Sequence, residues 1–219
     1  MPGSSHIDTG IFATDLTQAH LRYVPLTAAG MALVLVCLGA ALWPDVDHVR
    51  LAAWLGLLAL PFGARLALAR LHATNPQSWP APRMLTAFRV TFAMHGLAWA
   101  ASLPLIAGQV DELDRLLLVL VMVGVTSSAL NTSVFDRLAS SLVLLIAGTP
   151  WIAWLVATGG RFAVTIGVML ALHVAYMMAI GAKVYQRYLA GLAARRATDA
   201  RADALAGFQH AFARLWQTD

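Results

Sequence analysis

The sequence predicts an all-α fold, a polytopic membrane protein of six transmembrane helices with both termini cytoplasmic and a C-terminal cytoplasmic helix. Three observations carry that prediction. The chain is 59% hydrophobic and only 12% charged, where soluble domains carry about a quarter charged residues. Its apolar residues gather into six runs of 18 to 23 residues. At about 1.5 Å per residue each run reaches roughly 27–35 Å, enough for the hydrocarbon core. The basic residues then sort by side: twelve Lys and Arg (Arg22, Arg65, Arg70, Arg83, Arg89, Arg137, Lys183, Arg187, Arg195, Arg196, Arg201 and Arg214) against Arg50, Arg115 and Arg161. That bias places the first side in the cytoplasm.

Residues 1–25 form a cytoplasmic N-terminal segment in which Ile7, Ile11, Phe12, Leu16, Ala19 and Tyr23 recur at spacings of three to five. The pattern fits a short amphipathic helix on the membrane surface or a partly ordered tail. The bundle follows at 26–182, with runs Leu26–Trp43, Val49–Leu71, Met84–Ile106, Leu113–Asn131, Leu138–Ala157 and Val164–Ala182. Their connections are short, so consecutive helices are antiparallel neighbours and no soluble domain is inserted. The lone Cys37 lies in the first run, which excludes a disulfide framework or a cysteine zinc site. The formal charge of +4 reports topology here, and no nucleic-acid partner is expected. Residues 1–20 are polar, so no cleavable signal peptide is read.

The sixth run has no stop. It passes through Lys183 into a cytoplasmic signalling or linker helix, 183–219, in which Tyr185, Tyr188 and Leu192 and then Leu205, Phe208, Phe212 and Leu215 keep a 3–4 spacing. Leu192 to Leu205 is one residue short of two heptads, so the two seams are out of register. The pattern suits a parallel dimeric helix, or an amphipathic helix held near anionic lipid.

His95 and His173 are the sharpest candidates for chemistry, because each falls near the middle of its span and intramembrane ionisable groups are functional by default. They are read as ligand- or proton-sensing, as haem b ligands, or as packing histidines bonded to Ser102, Ser127, Ser128 or Tyr176. Trp99, Ser127, Ser128, Asn131 and Tyr176 complete the ligand-sensing set. Pro150 in the fifth run is the candidate hinge. Arg65 and Arg89 are expected to snorkel to the cytoplasmic interface, and Asp136-Arg137 to cap a helix and pair. No phosphate-binding loop, metalloprotease motif, nucleophile elbow or carboxylate pair occurs. No catalytic residue, metal site or resident cofactor is therefore expected, haem b on His95 and His173 being the alternative. No acidic residue lies in the six apolar cores, which argues against an ion-coupled transporter.

The layout resembles the N-terminal six-helix sensory region of bacterial diguanylate cyclases and sensor histidine kinases. The similarity rests on Arg89 with Gly96-Leu97-Ala98-Trp99, on Pro150, and on a last helix running into a linker over about residues 20–200. Asp203-Ala204-Leu205-Ala206-Gly207-Phe208 is similar to the segment that opens a GGDEF domain, although Ala206 replaces its Thr and the usual Asn-Arg is missing. The resemblance implies a bacterial inner-membrane module of signal transduction, of two-component or diguanylate-cyclase type, homodimeric and acting on a cytoplasmic output. Any catalytic domain would lie beyond residue 219. The alternatives are a small transporter or channel, or a haem b electron carrier.

Overall fold

The computed structural model describes residues 9–75, 79–133 and 135–216, with the backbone alone at 9–12, 130–132 and 210–216. Among them there are no strands. Six long helices follow one another: α1 (Thr9–Leu42), α2 (His48–Thr74), α3 (Ala81–Ala100), α4 (Glu112–Thr132), α5 (Arg137–Thr158) and α6 (Arg161–Trp216). Five helical segments among the described residues are long and apolar enough to cross a membrane: Ala13–Leu42, His48–Thr74, Ala81–Ala107, Arg137–Thr158 and Arg161–Gln209. In α4, Glu112, Asp114 and Arg115 share the first turn ahead of an apolar stretch.

The boundaries follow local chemistry. Asp47, Asp111 and Asp136 each cap a helix by accepting the backbone N–H three residues on, at Arg50, Asp114 and Ala139. Such caps satisfy donors that a first turn leaves unpaired. Gly159 and Gly160, with φ of 73° and 80°, turn α5 back into α6 in a conformation that L residues avoid. Consequently α6 starts at Arg161 rather than Val164. The third apolar run is divided as well: α3 ends at Ala100 and a π-helical turn, Leu103–Ala107, carries the chain on through Pro104.

Two helices outlast any bilayer. At about 1.5 Å per residue the 34 residues of α1 span about 51 Å and the 56 residues of α6 about 84 Å, against roughly 30 Å of hydrocarbon. The described part of the N-terminal segment is no separate helix. From Thr9 it forms the first turns of α1, and Pro25, which removes one backbone bond, does not end the helix.

Contacts fix which ends lie together. At one end Ala13 and Leu16 of α1 pack with Leu85 of α3 and Phe135 of the α4–α5 connection, and Tyr188 of α6 joins them. There Thr17 Oγ1 also donates to the Ala81 carbonyl at 3.2 Å. At the other end the backbone N–H of Asp47 donates to Gln109 Oε1 at 3.0 Å, and the Arg115 guanidinium lies 5.7 Å from the Trp154 ring. Successive helices therefore run up and down between two ends. The N-terminal part of α1 and the C-terminal part of α6 share one of them.

Between the ends runs a core built on Trp54, Trp99 and Trp151, all fully buried. Trp54 Nε1 donates to the Ala98 carbonyl at 2.9 Å and Trp151 Nε1 to Ser102 Oγ at 3.1 Å. Those two indoles fill the core with their N–H groups satisfied, whereas the buried Trp99 Nε1 has no hydrogen-bond partner. Gly96 and Gly148 let α3, α5 and α6 touch. A Cβ at Gly96 would lie 2.9 Å from Ile146 Cβ, and one at Gly148 would lie 2.8 Å from Val174 Cγ2. Glycine in these places is a packing device, as small residues are in membrane bundles. Pro150 sits inside a continuous α5.

Candidate functional site

Between α1, α2, α3 and α4 lies a cavity of about 420 Å³, walled by apolar side chains such as Met31, Val34, Phe62 and Val125. Two ionisable residues break the apolar wall, Arg65 and His95. His95 is 1% exposed, and neither Nδ1 nor Nε2 has a hydrogen-bond partner. Its ring stands edge-on to Phe62, 5.0 Å between centroids. An orphaned imidazole in such a place demands an explanation, since buried polar groups are nearly always paired.

Arg65 does not snorkel. It is 5% exposed; Nε donates to Thr91 Oγ1 at 2.8 Å and Nη2 to the Thr91 carbonyl at 3.4 Å. The guanidinium lies 3.9 Å from the centroid of Phe92 and 4.7 Å from that of Phe62. Cation–π contact and two hydrogen bonds partly replace water around it. Its place nine residues before the end of α2 prevents escape, because α1 and α3 cover that face. Among the described residues no carboxylate pairs with it.

The nearby acid is committed elsewhere. Asp136, 1% exposed, receives Arg89 through Nε at 2.9 and 3.2 Å and Nη2 at 3.2 Å, and His20 Nε2 at 3.3 Å. An ionised carboxylate only accepts, so the His20 nitrogen facing it carries the proton. Burial alone would raise the pKa of Asp136. Hydrogen bonds from His20 and Arg89, with the charge of Arg89, outweigh burial and hold the carboxyl below the usual carboxylate range. His20 is boxed by rings, stacked on Phe88 at 5.0 Å with Phe135 edge-on at 4.6 Å. Phe135 reaches on to Tyr23 of α1 and Tyr188 of α6, each at 6.1 Å. One cluster thus ties α1, α3, the α4–α5 connection and α6. One turn and more beyond it Arg196 Nη2 donates to Asp15 Oδ2 at 2.5 Å, a second strut between α6 and α1.

The sequence-predicted residues scatter around this arrangement. His95 and Ser128 line the cavity. His173 does not: its Nε2 faces Thr126 Oγ1 at 3.4 Å in the groove between α4 and α6. Trp99 is in the core, Ser127 donates to its own helix at Val123 O, 2.7 Å away, and Tyr176 is 61% exposed. The side chain of Asn131 lies outside the described residues. On α6, Tyr185, Tyr188 and Leu192 are half-buried, Leu205 and Phe208 are 65% and 70% exposed, and the Phe212 side chain lies outside the described residues. Asp136 caps α5 as expected but pairs with Arg89 and His20 rather than Arg137. Sequence reasoning missed Arg65 as a cavity residue and His20 altogether. The one available signal for His20 was a histidine on the inward stripe that Leu16 and Ala13 also occupy. No group of three or more His, Cys, Asp or Glu suited to a metal occurs among the described residues. Comparison with protein-family models, with curated proteins and with solved structures finds no match for this chain.

Proposed function

We propose that the chain is a membrane-embedded sensory module that relays a ligand or membrane cue through α6 to a cytoplasmic output. It would sit in a bacterial inner membrane with six spans, both termini inside, as a homodimer joined along the α6 seam. The observation that carries this reading is the continuity of α6: no break falls between Lys183 and Leu192, where the helix leaves the apolar bundle. A rigid element is what a two-state bundle needs to export its state. The cluster around Asp136 and the Asp15–Arg196 strut support the same reading, since any shift of α1 against α3 is felt on α6 at Tyr188 and Arg196. Leu205 and Phe208 offer apolar surface for a second copy.

The test is helical phase. A reporter output enzyme joined behind α6, with insertions of one to seven alanines at Ala200, is expected to give activity that oscillates with a period near 3.6 residues. Activity that ignores phase would refute transmission through the rod. Cysteines at Leu192 and Leu205, in a Cys37→Ser background, are expected to cross-link between subunits in membranes.

A further inference from the structure

We infer that the cavity bounded by Arg65 and His95 binds a single-chain amphiphile with a carboxylate headgroup, a long-chain fatty acid in chemical class. The inference rests on the sensory reading only in making this molecule the cue; the binding itself does not need it.

Charge comes first. Among the described residues Arg65 is buried without a carboxylate partner, and Thr91 takes up only its Nε and one Nη2 contact. A guanidinium has five donors, so several are left for the cavity it lines. A desolvated cation in a low-dielectric wall attracts an anion strongly. His95 adds the second feature. Both ring nitrogens are buried and unpaired, so whichever carries the proton has a donor to give. Two donor-bearing groups on one cavity wall can serve the two oxygens of one carboxylate.

The rest of the wall is hydrocarbon-like: Met31, Val34, Phe62 and Val125. The volume of about 420 Å³ lies low in the range of ligand pockets, about 300–1,000 Å³. It suits one acyl chain, and the second chain, glycerol and phosphate of a phospholipid would have to stay outside. The mouth is equally informative. Leu26 is 66% exposed, Gly30 and Gly124 are exposed, and a Cβ at either glycine would meet nothing within 4 Å. The opening between α1 and α4 therefore faces the lipid phase, from which an amphiphile enters sideways.

Radiolabelled palmitate is titrated against the full chain in nanodiscs of zwitterionic lipid at pH 8. Saturable binding of one palmitate per chain is expected. Hexadecanol and hexadecyltrimethylammonium should compete at least tenfold more weakly, and phosphatidylglycerol in the nanodisc should not compete. Arg65→Gln should weaken binding at least tenfold. Gly124→Leu, which adds its side chain at the mouth without a buried clash, should abolish binding while leaving thermal stability intact, and it decides the matter if Arg65→Gln does not fold. Absence of saturable binding, hexadecanol bound as well as palmitate, competition by phosphatidylglycerol, or unchanged affinity in folded Gly124→Leu would each overturn the assignment. Palmitate binding without any response in the α6 phase experiment would instead leave the site standing and remove the sensory reading.

Discussion

Asp136→Ala is expected to destabilise the bundle by about 4 kcal/mol, and the figure comes from what the carboxylate holds. It accepts three contacts from Arg89, one from His20 and one from the backbone N–H of Ala139. Stripping one partner from a buried ion pair costs about 3–5 kcal/mol, because the other charge is left unpaired. Arg89 is 27% exposed and recovers some solvent, which argues for the lower end of that range. The lost cap on α5 adds about 1 kcal/mol. His20, 4% exposed, loses its carboxylate acceptor at the same time. Reversible unfolding in mixed micelles, followed by tryptophan fluorescence, reads the change. Asp136→Asn, which keeps the shape and one acceptor, should fall between wild type and Asp136→Ala. A loss below about 0.5 kcal/mol in Asp136→Ala would refute the view that this cluster clamps the helices, since surface pairs of that worth are ordinary.

The same carboxyl sets an acid limit. Its folded pKa is depressed below the unfolded value, so its contribution is fully present above about pH 4 and is lost as the pH falls through the folded value; the acid-unfolding arm of an unfolding-versus-pH curve should flatten in Asp136→Asn. Gly96→Ala brings a Cβ to 2.9 Å of Ile146 Cβ and 3.3 Å of the Leu142 carbonyl and should cost about 1–3 kcal/mol by overpacking, whereas Gly124→Ala meets nothing and, inside α4, should unfold no earlier than wild type. Replacing Gly160, at φ 80°, by Ala should cost about 1–3 kcal/mol, measurable in the same micelles.

What the sequence made legible was what periodicity and length control. The connections expected around Pro44, Gln109 and Gly159 fall between the observed helices, because apolar runs and capping aspartates are local signals. Where long-range packing decides, the reading failed. Residues 1–25 gave a weak amphipathic pattern, and only the contacts of Ala13 and Leu16 with Leu85 and Phe135 make the part from Thr9 onward the base of α1. Arg65 looked like an interfacial arginine because a single helix offers it a way to the water. Helices α1 and α3 close that way, and no spacing along α2 announces them. His95 was found by depth alone. Its cavity was not, since a cavity belongs to four helices at once. The seven-residue sensing set mixed groups facing the cavity, the core and the lipid for the same reason.

Spin labels at Lys183 and Leu205, both exposed on α6, test the rod most directly. Twenty-two residues of unbroken helix place the two backbone sites about 33 Å apart. In the full chain in lipid, with Cys37→Ser and the doubly labelled chain diluted into a large excess of unlabelled chain so that only distances within one subunit are read, a single narrow distribution near that value is expected. A broad distribution, or one centred well below it, would mean that the segment between the bundle and the tail bends freely, and no motion of the bundle would then reach the far end of α6.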